Sequence, residues 1–183
     1  MRKFILDINK YKEYSNGKST ILLILTTQGL WALFVYRSAN AIYLSKIHFL
    51  IKKILLIGAL FHQKLIEIIT GISLPYSAKI GHSFYIGHFG NIIINANAVI
   101  GNNCNISQGV TIGVSGRGQK RGVPIIGNNV YIGVNAVIAG NIKIGNGSVI
   151  AANSLVIKDV LSNTTVLGVP AEQINNNNSE AYI

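Results

Sequence analysis

Aliphatic residues recur at intervals of six along the second half of the chain. The register starts at Leu74, continues through Ile80 and Ile86, and resumes at Ile94 after a short insertion. After a longer insertion behind Ile112 it continues at Ile126, Ile132, Ile138, Ile144, Ile150 and Val156. This period fits neither the turn of an α-helix nor the alternation of a single strand. It is the signature of stacked hexapeptide coils.

The hexads predict a β-helix, and they also predict which residues share a face. Each hexad supplies a short strand whose aliphatic side chain points into a narrow prism, and glycine or asparagine takes the turn. Three hexads close one coil, and successive coils stack through backbone hydrogen bonds. The hexads at Ile86, Ile106, Ile132 and Ile150 then lie on one face. Two positions further on, a column forms from His88, Gln108, Val134 and Ala152.

The first part of the chain has a helical pattern instead. The segment 47–69 is rich in leucine and isoleucine at spacings of three and four, Gly71 would end its helix, and Pro75 would prevent continuation. We therefore expect a helical N-terminal region over residues 1–71 and the β-helix over residues 72–174. An insertion loop is expected over residues 114–124, and a C-terminal tail over residues 175–183.

The net charge of +10 lies mostly in the helical region. Such a surface favours an anionic partner, or it is simply a solvated basic surface. The basic half has no recognisable nucleic-acid-reading motif, so nucleic acid is not expected. The uncharged stretch 19–36 contains threonines, a glutamine and a glycine, and it reads as an amphipathic or buried helix that could lie on a membrane.

The predicted location is the cytoplasm, either free or peripheral at the inner membrane face. Cys104 is the only cysteine, so no internal disulfide can form. A single thiol suits a reducing compartment. No signal peptide is apparent, because the first apolar run follows several charged residues and no small-residue cleavage site comes after it.

Four segments carry a family resemblance, over about residues 71–174: AKIGHSFYIGHFGNIII, IGNNCNISQGVTIG, IGNNVYIGVNAVIAGNIKIGNGSVIAANSLVIKDV and TTVLGVPAEQI. They resemble the hexapeptide-repeat acetyltransferases, in particular the serine acetyltransferase-like branch. The resemblance implies a left-handed parallel β-helix and acetyl-CoA as co-substrate, with no metal. It also implies a homotrimer or a dimer of trimers, with active sites between neighbouring subunits.

The resemblance makes His88 the general base, in YIGHFG. A neutral imidazole suits this role because its pKa lies near working pH. The alternative is an ordinary surface histidine in a turn. His82 would lie on a different face, and two β-helix histidines are too few for a three-imidazole zinc site. Cys104 falls at the small inward position, as a buried core thiol.

The resemblance also suggests where coenzyme A would lie. Lys158 is a candidate phosphate contact or a solvated lysine. The other candidate cofactor-binding residues are Gly113, Val134, Asn135, Ala152, Gly168 and Pro170. Candidate substrate or loop residues are Gln108, Arg117, Lys120 and Arg121, and the loop is expected to be mobile and basic or merely solvated.

Several residues depart from the pattern of the serine acetyltransferase-like branch, and they bear on the acceptor. The branch has an aspartate before the base and an arginine–histidine–proline at the end of the loop, where this chain has Gly87 and Val123. Glu172 replaces a basic residue, and the segment GLWALFVYR resembles acetyltransferases of capsule and exopolysaccharide synthesis. We therefore expect the hydroxyl of a sugar or polysaccharide as acceptor. The alternatives are a serine O-acetyltransferase of cysteine biosynthesis, or a non-catalytic β-helix scaffold or membrane-docking protein.

Overall fold

The computed structural model describes residues 2–118 and 121–183. Within these ranges α-helices come first and short strands follow. The helices are α1 (Arg2–Glu13), α2 (Thr20–Thr26), α3 (Gln28–Leu44) and α4 (Phe49–Thr70). The strands are β1 (Ile72–Ser73), β2 (Lys79–Ile80), β3 (Tyr85–Ile86), β4 (Ile92–Ile94), β5 (Val99–Ile100), β6 (Asn105–Ile106), β7 (Thr111–Gly113), β8 (Ile125–Ile126), β9 (Tyr131–Ile132), β10 (Val137–Ala139), β11 (Lys143–Ile144), β12 (Val149–Ile150), β13 (Leu155–Val156), β14 (Thr165–Gly168) and β15 (Ala171–Asn175).

The strands distribute over three sheets in rotation. The first face contains β1, β4, β7, β10 and β13, the second β2, β5, β8 and β11, and the third β3, β6, β9, β12 and β14. Neighbours in each of these faces pair in parallel, and only β15 runs antiparallel, against β14, in the part of the chain described. Each strand therefore pairs with one a full coil later, which confirms three hexads per coil.

The hexad aliphatics fill the space between the three faces. Ile86, Ile106, Ile132 and Ile150 follow one another up the third face, and none is more than 1% exposed. Burying one such side chain contributes roughly 1.5–3 kcal/mol. The inward direction predicted from the six-residue period is therefore confirmed, and this packing fixes the register of every turn.

The coils stack too closely for side chains at some turns. A Cβ on Gly101 would overlap the carbonyl of Gly127 in the next coil. Asn103 and Asn129, two positions further along each turn, have φ of 55°, a conformation that asparagine tolerates better than most residues. The glycine and asparagine of the repeat therefore serve the stacking of coils.

The N-terminal helices cover the lower edge of the first coil. Strands at the edge of a sheet leave backbone groups unpaired. Here the Tyr36 hydroxyl donates to the carbonyl of Ala78 at 2.8 Å and accepts from the Ile80 N–H at 3.1 Å. The Tyr11 hydroxyl makes the corresponding pair of bonds to Ile86, at 3.1 and 3.0 Å.

A buried ion pair completes this cover. Arg37 donates to Asp7 through Nε at 2.8 Å and through Nη2 at 3.0 Å, and both side chains are buried. The same guanidinium donates to the carbonyls of Ile80 and Gly81, while Asp7 accepts the Phe84 N–H at 2.9 Å. Helices α1 and α3 therefore act as the missing lower coil.

Helix α4 is covered far less than α1 or α3. It fully buries only Thr70, and it exposes apolar side chains such as Ile54 (69%), Phe61 (81%) and Ile68 (81%). Across residues 2–118 and 121–183, no helix taken singly has the length and apolar character to cross a membrane. Helices α2 and α3 reach that length only together, with a 90° bend between them.

The C-terminal segment returns along the third face. The Ser179 N–H donates to the Gly147 carbonyl at 3.0 Å. The carbonyl of Tyr182 accepts from Asn105 Nδ2 at 2.6 Å, and its ring stacks on Tyr131 with 4.6 Å between centroids.

Candidate functional site

His88 lies where the chain leaves β3 in the first coil. The N–H of Gly87 donates to the Ile106 carbonyl at 2.9 Å, and the N–H of Gly109 donates to the Gly90 carbonyl at 2.9 Å. These two bonds tie the His88 turn to the coil above it. The His88 side chain is exposed, as is the neighbouring Phe89 at 54%. The imidazole is therefore available to a substrate.

The predicted column forms at the turns that leave the third face. Ile86, Ile106, Ile132 and Ile150 pair in register, and Val166 of β14 pairs with Ile150. Two positions after these residues, the chain places His88, Gln108, Val134, Ala152 and, in addition, Gly168. We call this set of turns the His88 corner. It is open along its length, because Ala152 is exposed and Val134 and Gly168 are half-exposed.

Two more candidate cofactor residues lie at the His88 corner. Asn135 follows Val134 with φ of 57°, and its Nδ2 donates to Asn153 Oδ1 of the next coil at 3.3 Å. Pro170 is in the turn between β14 and β15, after a cis peptide bond with Val169. Both are exposed beside the column.

Gln108 contributes a buried acceptor to this corner. Its Oε1 atom is buried and has no hydrogen-bond partner among the described residues. The backbone carbonyl of Gln108 is used, since it accepts from the Asn135 N–H at 3.0 Å. Gln108 is therefore the member of the column above His88 that retains unused hydrogen-bonding capacity.

The remaining candidates lie at a different corner, where the chain leaves the first face. Gly113 ends β7 there, and the insertion loop follows directly. Lys158 follows β13, and its ammonium lies 3.4 Å from the Glu172 carboxylate, with both side chains exposed. We call this set of turns the loop corner. Within one chain, Gly113 and Lys158 are therefore not brought together with His88.

The insertion loop is a hairpin at its base. Ser115 and Gly122 exchange backbone hydrogen bonds at 3.1 and 3.0 Å, and the Arg121 N–H donates to the Gly118 carbonyl at 3.1 Å. Arg117 and Arg121 are exposed at its end. Lys120 lies outside the described residues. The two arginines are presented at the loop corner, away from His88 of the same chain.

His82 and Cys104 follow the interpretation made from the repeat. His82 comes after β2 on the second face, so it lies at a different corner from His88, and its Nδ1 is 3.1 Å from Ser83 Oγ. Cys104 is buried, and burial raises the pKa of its thiol to about 11. A buried thiol with that pKa is not a nucleophile.

Sequence reasoning missed Tyr11, which lies beneath the strand that carries His88. Its hydroxyl bonds both backbone groups of Ile86, two residues before His88. Burial raises the pKa of the Tyr11 phenol, so the hydroxyl stays protonated and keeps its donor. No local signal could have found this contact, because it joins residues that are far apart in the sequence.

The chain is similar to known serine acetyltransferases along most of its length. The bacterial transferase hexapeptide family (six repeats) matches residues 124–158. A serine acetyltransferase of Bacillus pumilus is 33% identical over 158 residues, which are 86% of this chain and 69% of that protein. The crystal structure of the Brucella abortus serine acetyltransferase in complex with coenzyme A superposes with a TM-score of 0.83 at 29% identity, covering 96% of this chain and 68% of that one.

A second solved structure of a serine acetyltransferase is also similar to this chain. The Neisseria gonorrhoeae serine acetyltransferase in complex with serine superposes with a TM-score of 0.80 at 33% identity, covering 94% of this chain and 68% of that one. These matches extend over the N-terminal helices as well as the coils.

These similarities correct the predicted acceptor. The expectation of a sugar or polysaccharide hydroxyl is wrong, because these relatives and structural neighbours are serine acetyltransferases. The prediction relied partly on the segment GLWALFVYR and on the basic N-terminal half. In the structure, Leu30, Leu33, Tyr36 and Arg37 of that segment cover the first coil, so the segment serves the fold. The alternative of a non-catalytic scaffold also fails, because the relatives are acyltransferases. The chain belongs to the serine acetyltransferase family of hexapeptide-repeat acyltransferases.

Proposed function

We propose that this protein is a serine O-acetyltransferase, which transfers the acetyl group of acetyl-CoA to the hydroxyl of L-serine. The observation that carries the proposal is the similarity to serine acetyltransferases across both the helices and the coils. One of the similar structures is a complex with coenzyme A, and another is a complex with serine.

His88 would act as the general base. It takes the proton from the serine hydroxyl as the oxygen attacks the thioester carbonyl, and a tetrahedral intermediate forms. When this intermediate collapses, the carbon–sulfur bond breaks and the thiolate takes the proton from the imidazolium. The products are O-acetylserine and free coenzyme A. The transfer is direct and needs no acyl-enzyme, and the Cys104 thiol is buried and takes no part in it.

The His88 corner fits the long arm of acetyl-CoA. Above His88 and Gln108 the column continues with the small residues Val134, Ala152 and Gly168, which leave the turns open. The backbone at small residues is accessible to a ligand, and a backbone N–H there could stabilise the negative charge that develops on the carbonyl oxygen. Asn135 and Pro170 lie beside this path.

We propose that the complete site forms between copies of the chain. The predicted site residues are divided between the His88 corner and the loop corner, which lie at opposite ends of the first-face strands. Packing the loop corner of one copy against the His88 corner of the next would bring Arg117, Arg121 and Lys158 towards the base. A closed ring of three such copies is the symmetric solution, as a trimer or a pair of trimers.

Further expectations from the sequence remain proposals. They are the left hand of the coil, the division into residues 1–71 and 72–174, and a cytoplasmic location. The exposed apolar side of α4, with Lys53 and Lys64 beside it, is the surface through which a peripheral contact with an anionic membrane would form.

The acceptor is tested by following release of the coenzyme A thiol. Purified protein is given acetyl-CoA with L-serine, and in parallel with oligosaccharides and with L-alanine as the matched amino acid that lacks only the hydroxyl. We expect turnover with L-serine and none with L-alanine. Turnover with the oligosaccharides and none with L-serine would contradict the proposal.

A further inference from the structure

The strand that carries His88 lies at the lower edge of the third face. Strand β3 has β6 on one side, where the N–H groups of Tyr85 and Gly87 donate to the carbonyls of Cys104 and Ile106. The N–H and C=O of Ile86 point the other way, because successive residues of a strand alternate in direction. Among the described strands, none pairs with β3 on that side.

Tyr11 receives both of these groups with one hydroxyl. The hydroxyl accepts from the Ile86 N–H at 3.0 Å and donates to the Ile86 carbonyl at 3.1 Å. The Tyr11 side chain is buried, and its ring packs against Tyr85 of the same strand, with 4.6 Å between centroids. Helix α1 therefore holds β3 at the residue pair that leads into the His88 turn.

Hydrogen bonds hold the backbone on both sides of the His88 turn. Above the turn it is tied to the next coil through the Gly87 and Gly109 N–H groups. Below it, Tyr11 makes the side-chain hydrogen bonds to Ile86. A shift of the base by a fraction of an ångström matters, because proton transfer requires hydrogen-bond distance to the attacking hydroxyl.

We propose that Tyr11 is a positioning residue for His88, which holds the edge strand β3 so that the imidazole stays within reach of the acceptor hydroxyl. This inference rests on the proposed function, in which His88 is the base. It assigns to the N-terminal helix a role in the reaction that goes beyond covering an exposed edge.

The chain supplies a matched control in Tyr36. Its hydroxyl also bridges two backbone groups of the first coil, at 2.8 Å from the Ala78 carbonyl and 3.1 Å from the Ile80 nitrogen. It is buried as well, but the strand that it holds is β2 on the second face. Removal of either hydroxyl should cost similar stability, whereas only Tyr11 supports the strand that leads into His88.

The test compares Tyr11→Phe and Tyr36→Phe with the wild type. We expect similar falls in Tm for both variants. For Tyr11→Phe, we expect kcat to fall about tenfold or more, since small misplacements of a reacting group are costly. The KM for acetyl-CoA should not change, because the open column for its arm lies in the higher coils. Tyr36→Phe should keep the wild-type kcat per folded molecule.

Equal kcat values for the two folded variants would overturn the inference. If Tyr11→Phe does not fold, Gly29→Ala replaces it, because a methyl group at Gly29 would overlap the Tyr11 hydroxyl and contact the Ile86 carbonyl at 3.1 Å. The same kcat-specific loss is expected from that variant. A His88→Ala variant separates the two proposals. Full activity of His88→Ala contradicts the role of His88 as the base. If His88→Ala is inactive but Tyr11→Phe and Tyr36→Phe have equal kcat values, only the role of Tyr11 is contradicted.

Discussion

Cys104 shows how the hexad fixes the chemistry of a single side chain. It occupies the small inward position, and its Sγ lies 3.2 Å from the Gly127 carbonyl inside the coil stack. Burial raises the pKa of this thiol from 9.0 to about 11. The position makes Cys104 a filler of the core and removes it from the chemistry at the surface.

This pKa shift predicts a pH dependence of stability. Because the pKa is higher in the folded state, the unfolded chain loses the thiol proton first as pH rises. The protonated thiol therefore makes its full contribution to the free energy of unfolding below about pH 9, and this contribution is lost as pH rises to about 11. At about 1.4 kcal/mol per pKa unit, the contribution is about 2–3 kcal/mol. Urea unfolding at pH 8 to 11 measures this loss, and Cys104→Ala should show a shallower fall. If the free energy of unfolding falls with pH in parallel for the wild type and Cys104→Ala, the raised pKa of Cys104 is contradicted.

At the scale of elements, the helices α1 and α3 take the place of a coil. The unpaired backbone groups along the lower edges of β2 and β3 are met by side chains of Tyr11, Tyr36, Arg37 and Asp7. The helical region therefore ends the stack in the way that a capping repeat does, by preventing an open sheet edge.

The contribution of this cover to the free energy of unfolding can be measured at the buried Arg37–Asp7 pair. In Arg37→Met the Asp7 carboxylate stays buried without its partner, which should cost about 3–5 kcal/mol in the free energy of unfolding. The double variant Asp7→Asn with Arg37→Met should lose less than the sum of the single variants, as urea unfolding can show. Strictly additive losses would mean that the pair is not coupled.

The repeat could be predicted from sequence because its information is local. Ile86 and Ile106 follow from a six-residue period, and the turns at Asn103 and Asn129 follow from their side chains. The cover of the first coil by the helices could not be predicted, because it depends on contacts between distant parts of the sequence. Tyr11 and Ile86, for example, are 75 residues apart. From the sequence alone, the helix segment that contains Tyr36 and Arg37 suggests a polysaccharide acceptor, whereas in the structure the segment covers the first coil.

The candidate site was predictable to the same extent. The column from His88 through Gln108, Val134 and Ala152 follows from counting hexads, and the pairing of Ile150 with Val166 adds Gly168. The acceptor could not be deduced in this way, because it depends on a few loop residues rather than on a period. The course of the insertion loop could not be deduced either, because the loop lies outside the six-residue period.

At the scale of the whole molecule, the division of the site between two corners predicts complementation between subunits. His88→Ala removes the base, and Arg117→Ala with Arg121→Ala removes the charges of the loop. If one copy supplies the base and its neighbour the loop, mixed assemblies contain some intact sites. Co-expression of the two variants should give more serine acetylation than the two parents together.

The control for that experiment is a mixture of the two variants that were purified separately and do not exchange subunits. Activity of the co-expressed protein no higher than this control would contradict a shared site.

The most direct test of the account is acetyl transfer from acetyl-CoA to L-serine by the wild type, His88→Ala and His82→Ala. The two histidines occupy equivalent places in successive hexads, but only His88 lies at the open column. We predict that His88→Ala loses about 100- to 10,000-fold in kcat, while His82→Ala keeps the wild-type rate. A wild-type rate from folded His88→Ala would contradict the account.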